Sequence, residues 1–299
     1  MKPDMYRRRG TVLLALGLLG CRAAVPGSDG GAADLGPSNA LVVLRPYDLF
    51  APASASGATA LPLVVLLHAY GVDAHVQDIF FGLSNLVDSA GFLLALPEGT
   101  VDSRGKRFWN ATDGCCNLDG SSVDDVAYLD AVIDDVSAHH WVDKKRVFVT
   151  GHSNGAFMSH RYACDRAARV AAFVALAGDD WLDTTRCKPS EPVAALQVHG
   201  DADAAIPYNG GALAPSARAS MLGWAQANGC AVAPPEMGAP LDLDKSLDGA
   251  ETVVEKWNGC KPGGAAELWT IRGAGHVPAF RLPFWPQTIW GWMSAHPKL

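Results

Sequence analysis

One stretch constrains this chain more than any other. A run of β-branched and aromatic residues, Val147-Phe148-Val149-Thr150, passes through Gly151-His152-Ser153-Asn154-Gly155 into the helix-compatible segment Ala156 to His160. The pattern predicts a strand, a sharp turn and a helix. A turn that tight forces Ser153 into a sparsely allowed backbone conformation and crowds its neighbours, which explains glycine at 151 and 155. The outcome is a serine hydroxyl held out at a helix N-terminus, where negative charge is favoured. Ser153 is therefore the candidate nucleophile. In a chain with 31 glycines so short a pattern needs support from elsewhere, and two later loops supply it.

A serine hydroxyl is a poor nucleophile at neutral pH and needs a base, for which an imidazole is suited because it titrates near the working pH. Of nine histidines, His276 fits best. It lies in Gly273-Ala274-Gly275-His276-Val277-Pro278, directly after the last predicted strand, and so at the same sheet edge as Ser153. The imidazole in turn needs a carboxylate to fix its tautomer. Asp201 and Asp203 both follow the strand Val193 to Val198. Asp203 is the expected partner and Asp201 the alternative. For the oxyanion, the expected donors are the backbone N–H of Asn154 and an N–H of Ala69 or Tyr70, in the turn His68-Ala69-Tyr70-Gly71 after the first buried strand.

Around these residues the pattern alternates. Leu63 to Leu67 is a continuous apolar run of the kind buried on both faces of a parallel sheet, and Phe92 to Leu96, Val147 to Thr150, Val170 to Ala177 and Val193 to Val198 read as further strands. Helices are expected within Val76 to Ala90, from Asp124 and Asp125 onward with both aspartates as N-terminal caps, and over Ser216 to Asn228. Val253 to Trp257 and Ala266 to Ile271 give the last strands, and Trp285 to Ser294 a closing helix. The fold class is α/β, a mostly parallel central sheet with helices on both faces.

The N-terminus reads differently. A basic segment ending in Arg7-Arg8-Arg9 precedes the apolar run Val12 to Leu19, which is too short to span a bilayer. Residues 1–20 are thus expected to be a signal peptide of the lipoprotein type, with Leu18-Leu19-Gly20-Cys21 as lipobox and Cys21 as the lipidated residue. Residues 21–40, poor in large apolar side chains, form a flexible tether, and 41–299 a single catalytic domain. The net charge is −7, and the first twenty residues carry +3 of their own; the remainder is acidic, which argues against nucleic acid as a partner. A membrane would be met only through the anchor at Cys21.

Six further cysteines in an exported chain suggest three disulfides. Cys230 with Cys260 is the expected pair, since both follow an Asn-Gly and flank one excursion. Cys115 and Cys116, being adjacent, are expected to bond separately to Cys164 and Cys187. No Cys-x-x-Cys or His-Glu-x-x-His spacing is present, so neither a metal nor another cofactor is expected.

Several motifs together carry a resemblance. They are Trp109-Asn110-Ala111 followed by Cys115-Cys116, Val123-Asp124-Asp125-Val126, the Ser153 turn, His199-Gly200 through Pro207-Tyr208-Asn209-Gly210-Gly211, Asn228-Gly229-Cys230, Trp257-Asn258-Gly259-Cys260 and Gly275-His276. Over about Leu61 to Trp292 the chain resembles the exported polyhydroxybutyrate depolymerase and feruloyl esterase family of α/β-hydrolases, the group with LpqC-like lipoproteins. The resemblance implies carboxylic-ester hydrolysis through Ser153, Asp203 and His276, on feruloyl or acetyl esters of polysaccharide or short hydroxyalkanoate esters. Tyr70, Trp109 and Trp181 are the candidates for an aromatic substrate pocket. The chain departs from the family at His68-Ala69, where members have His-Gly, and at Val277-Pro278-Ala279, where members have Trp-Pro-Gly. A serine peptidase on the same fold and a non-catalytic binding lipoprotein are the rival readings.

Overall fold

The computed structural model describes residues 5–7, 37–56 and 59–299. Cys21, the lipobox and nearly all of the expected signal peptide and tether lie outside the described residues. Strands run in chain order as β1 (Met5–Arg7), β2 (Asp48–Phe50), β3 (Leu61–Leu67), β4 (Leu93–Leu96), β5 (Thr100–Val101), β6 (Arg107–Phe108), β7 (Val142–His152), β8 (Ala172–Leu176), β9 (Ala194–Gly200), β10 (Glu236–Met237), β11 (Thr252–Trp257) and β12 (Ala265–Ile271). Helices are α1 (Pro37–Leu44), α2 (Ala74–Phe81), α3 (Val87–Ala90), α4 (Asp125–His139), α5 (Asn154–Asp165), α6 (Ala217–Ala227) and α7 (Phe284–Ser294).

Ten strands form one sheet in the order β1-β2-β4-β3-β7-β8-β9-β12-β11-β10. The six central strands, β4 to β12 in that order, are mutually parallel, and the outer pairs are antiparallel. The apolar runs have the reason expected for them. In β3, Leu63, Val65 and Leu67 face the core under α4, α5 and α6, while Val64 and Leu66 face the one under α2 and α7. A strand covered on both faces has no position where a polar side chain meets water.

Two local expectations needed correction. The helix foreseen within 76–90 breaks at Gly82, whose φ of 75° closes α2; a 3₁₀ turn and the short α3 follow. At α4 only Asp124 caps, accepting from Ala127 N–H at 2.9 Å. Asp125 is fully buried instead. Its two oxygens take Arg45 at 2.6 Å and the Asn110 N–H at 2.7 Å, tying α1 and the 98–122 loop to the helix start. Burial pushes that carboxyl's pKa up, and the Arg45 charge opposes the shift.

The cysteine pairing is as expected for Cys230 with Cys260 and is corrected for the other four. Cys230 bonds Cys260 and Cys164 bonds Cys187, which leaves Cys115 bonded to its neighbour Cys116. Cys164, in the last turn of α5, meets the segment after β8 at a Cα separation of 5.6 Å, within ordinary disulfide reach. With that partnership made, the adjacent pair closes on itself. Among the described residues no helix is long and apolar enough to cross a membrane.

Candidate active site

The elbow between β7 and α5 has the backbone its sequence demanded. Ser153 sits at φ 55°, a conformation that L-residues other than glycine seldom adopt. A Cβ on Gly155 would lie 2.2 Å from the Leu67 carbonyl oxygen and 2.7 Å from that of His68, so the start of α5 passes directly over the end of β3. The Ser153 N–H donates to the Leu176 carbonyl at 2.8 Å, and its own carbonyl accepts from Ala156 and Phe157. These bonds hold the strained residue between β8 and the first turn of α5.

Asp203 and His276 meet. His276 Nδ1–H donates to Asp203 Oδ2 at 2.7 Å, which leaves Nε2 as the nitrogen carrying the lone pair. The other oxygen of Asp203 accepts from the Ala205 and Ile206 N–H groups at 2.8 and 2.9 Å. Burial by itself would raise this carboxyl's pKa. The hydrogen bonds from His199, His276 and Ile206 outweigh it and hold the group well below the usual carboxylate range. Asp201 is turned aside: it is exposed and accepts from the Gly273 N–H at 2.6 Å.

The imidazole is brought to the elbow by its backbone. The His276 carbonyl is 2.8 Å from His152 Nε2, and the two rings lie 4.8 Å apart. His152 immediately precedes Ser153. It is almost fully buried, and desolvation, with the nearby His276 charge, depresses its pKa to about 4. It therefore stays neutral and donates Nε2–H to the His276 carbonyl.

Of the two donors considered in the 68–71 turn, the Ala69 N–H is occupied, donating to Gln77 Oε1 at 2.9 Å. The Tyr70 N–H has no acceptor among the described residues, and the Asn154 N–H, first in its helix, has none within the helix. The turn is held by His68, buried with a pKa lowered to about 4 by desolvation. Its Nδ1–H donates to the Ala69 carbonyl and its Nε2 accepts from the Gly99 N–H.

Trp109 is fully buried, not at an open surface. The Asn154 side chain grips both of its backbone groups, at 2.6 and 3.0 Å, and its indole N–H donates to the His68 carbonyl. Trp109 thus braces the turn after β3 against the elbow. The Tyr70 hydroxyl donates to Asp102 at 2.6 Å, and Trp181 lines a cavity against the 110–118 loop.

Sequence reasoning passed over several supports. Gln77, on the inner face of α2, occupies the Ala69 donor. His199 Nε2 lies 3.3 Å from Asp203 Oδ2 and 2.9 Å from the Ile206 carbonyl, so the candidate acid faces two imidazoles. Behind His199, Gln197 Nε2 reaches both His199 Nδ1 and Asp179, the latter at 2.6 Å. Asp179 and Asp180 are buried, with pKa values raised by desolvation to about 6 and about 7. The only sequence signal for them was a pair of aspartates shortly after an apolar strand. Among the described residues no group of three His, Cys, Asp or Glu side chains could hold a metal ion.

Comparison with known proteins adds the lineage. Residues 45–182, the span from just after α1 through the elbow to Leu182, match the family described as esterase PHB depolymerase. Through that span the chain is similar to this family. Feruloyl esterase B of Piromyces equi is 27% identical over 238 residues, 76% of this chain and 41% of that protein. Feruloyl esterase D of Neurospora crassa is 28% identical over 221 residues, 72% of this chain and 66% of its own length. The chain spans about half the length of the first of its curated relatives. The acetyl xylan esterase from Aspergillus awamori superposes with a TM-score of 0.58 at 15% identity, covering 83% of this chain and 93% of that one. That likeness concerns the fold, and the fold is the α/β-hydrolase one.

Proposed function

We propose that the protein is an exported serine esterase of carboxylic esters, acting through Ser153, His276 and Asp203 by way of an acyl-enzyme. The observation that carries this reading is the conjunction of the positive φ at Ser153 with the 2.7 Å Asp203–His276 bond, whose histidine backbone is fastened to the residue before the serine. Ser153 Oγ attacks the ester carbonyl carbon while His276 Nε2 takes its proton. The oxyanion is met by the N–H groups of Asn154 and Tyr70. Collapse breaks the carbonyl–alkoxy bond, and His276 returns the proton to the departing alcohol. Water then repeats the sequence on the acyl-serine, yielding the carboxylic acid and free serine.

Relatives named as feruloyl esterases, and a bifunctional acetylxylan esterase/xylanase of Neocallimastix patriciarum, support feruloyl or acetyl esters of polysaccharide as substrates. The description of the matched family leaves short hydroxyalkanoate esters as the second class. Three disulfides support export, and Cys21 is the proposed point of lipid attachment. The test is Ser153→Ala, expected to lower turnover of p-nitrophenyl acetate by about a millionfold and to abolish labelling by a fluorophosphonate. A variant that still turns over at near wild-type rate overturns the proposal.

A further inference from the structure

The strand that delivers Asp203 ends in a second buried imidazole. His199 and Gly200 close β9 against the loop that carries His276: a Cβ on Gly200 would stand 2.2 Å from the Ala274 carbonyl oxygen, and the Ala202 N–H donates to that same oxygen at 3.0 Å. The His199 side chain is fully buried, as is the Asp203 carboxyl it faces. Burying an imidazole beside a carboxylate that already serves the base is costly unless its ring nitrogens are both satisfied. Both nitrogens of His199 are engaged.

The two nitrogens place one hydrogen independently of each other. Nε2 stands 2.9 Å from the Ile206 carbonyl oxygen and 3.3 Å from Asp203 Oδ2. A carbonyl oxygen only accepts, and so does the Asp203 carboxylate, which already receives N–H groups from Ala205, Ile206 and His276. Nε2 therefore carries the hydrogen. On the far side of the ring, Nδ1 lies 3.1 Å from Gln197 Nε2, which also donates to Asp179 Oδ1 at 2.6 Å. An amide nitrogen only donates, so Nδ1 accepts and the hydrogen again falls on Nε2. Burial opposes a charge on this ring, while the bond to Asp203 and the Asp179 charge favour one and give a net upward shift. A charged ring carries the Nε2 hydrogen as well.

A hydrogen bond to the ionised form of a carboxylate lowers its proton affinity, and a less basic carboxylate stabilises a neighbouring imidazolium less. We propose that His199 is a positioning residue of the reaction: its Nε2–H shares Asp203 Oδ2 with His276 Nδ1–H, keeps that oxygen turned to the base, and leaves the His276 imidazolium acidic enough to surrender its proton to the departing alcohol. Gln197, anchored on Asp179, sets the His199 tautomer. The inference rests on the reading of Ser153, His276 and Asp203 as the triad. Besides Asp203, four titratable groups surround the two rings. His152 from β7 and His160 from α5 are lowered by burial to about 4 and about 3, and are neutral above pH 5. Tyr208, whose ring meets His199 edge-on at 5.6 Å, is pushed up by burial. Asp179 is raised by desolvation to about 6, and it alone of these four titrates between pH 5 and 9.

The experiment reads the pH profile of kcat/KM on p-nitrophenyl acetate from pH 5 to 9 for the wild type, His199→Phe and His199→Gln. It is repeated in an Asp179→Asn background, where the amide oxygen still accepts from Gln197 and that position no longer titrates. His199→Phe, which has no N–H to give, should move the acidic limb up by about 0.5 unit or more and lower kcat by about tenfold. His199→Gln, which can present an amide N–H to Oδ2, should return the limb to within about 0.2 unit of wild type. A role in packing alone would lower Tm and kcat in both variants and leave the limb in place. In parallel, long-range ¹H–¹⁵N spectra of the histidine-labelled wild type should show His199 protonated at Nε2 across the whole range, and they decide by themselves where His199→Phe does not fold or turn over. An unmoved limb in folded, active His199→Phe, or a His199 without its Nε2 hydrogen, overturns the inference and leaves the esterase standing. A wild-type protein without esterase activity overturns both.

Discussion

Replacing Asp203 with Asn tests the proposed proton relay at its most buried member. The substitution keeps shape and keeps Oδ1, which accepts from Ala205 and Ile206. It puts an NH₂ group where Oδ2 now receives His276 Nδ1–H at 2.7 Å, with His199 Nε2 at 3.3 Å on the same oxygen. Two donors cannot face each other, so His276 is driven to its other tautomer. Its proton then sits on Nε2, which can no longer accept from Ser153. A tautomer error of this kind costs about 10⁴ in kcat, equivalent to roughly 5 kcal/mol of barrier. Loss of the charge-assisted bonds should lower stability by about 2–4 kcal/mol. Because Asp203 is held well below the usual carboxylate range, the stability it contributes is complete above its unfolded pKa of about 4. It disappears only as pH falls through the lower folded value, so the comparison belongs at neutral pH, where the wild-type group is ionised. The assay is p-nitrophenyl acetate turnover at pH 7.5, with near-ultraviolet circular dichroism to verify the fold. Asp201→Asn serves as the companion; it changes one exposed bond to Gly273 N–H and should leave kcat within about threefold, as surface substitutions generally do. If Asp203→Asn keeps more than a tenth of wild-type kcat, or Asp201→Asn falls as far, the assignment of the acid is wrong.

Three other outcomes are expected. Gly155→Ala drives a Cβ to 2.2 Å from a backbone oxygen that cannot yield; a cost above about 4 kcal/mol and a Tm lowered by about 10 °C should follow, and calorimetry showing a shift under 2 °C would refute the crowding argument. Asp180→Asn should stabilise the protein at pH 9 by about 3–4 kcal/mol, because the buried carboxyl titrates near 7 when folded and its ionised form is penalised above that pH. The gain should shrink as pH falls from 7 toward 4, and urea unfolding at pH 5 and pH 9 that gives equal differences contradicts it. Replacing Cys164 and Cys187 together by Ser frees a 23-residue separation and should cost about 3 kcal/mol, read as a lower urea midpoint; an unchanged midpoint speaks against that bond as a stabiliser.

Much of the architecture was legible because its causes are local. The runs in β3 and β8 are apolar at every position, and only a strand covered on both faces requires that. Ser153, Asp203 and His276 were legible for a related reason: each follows a strand of the parallel block, so topology carries them to one edge before any contact is known. The supports were not legible, since they depend on which side chain fills a space between elements distant in sequence. Nothing near Gln77 reveals that it will occupy the Ala69 N–H, and nothing near Asn154 reveals that its amide will hold Trp109. The cysteine order failed likewise. Reasoning from adjacency alone gave Cys115 and Cys116 outside partners, whereas α5 had already brought Cys164 to Cys187.

The grip of Asn154 on Trp109 divides the long loop after β4 into a root and a tip. The root is locked to the elbow, to the His68 carbonyl and, through Asn110, to Asp125. The tip, from Asp113 to Gly120, makes none of those bonds and is largely exposed at its far end. A protein built this way can exchange the tip as a cassette, altering in length and chemistry what it admits while the serine and its donors keep their places.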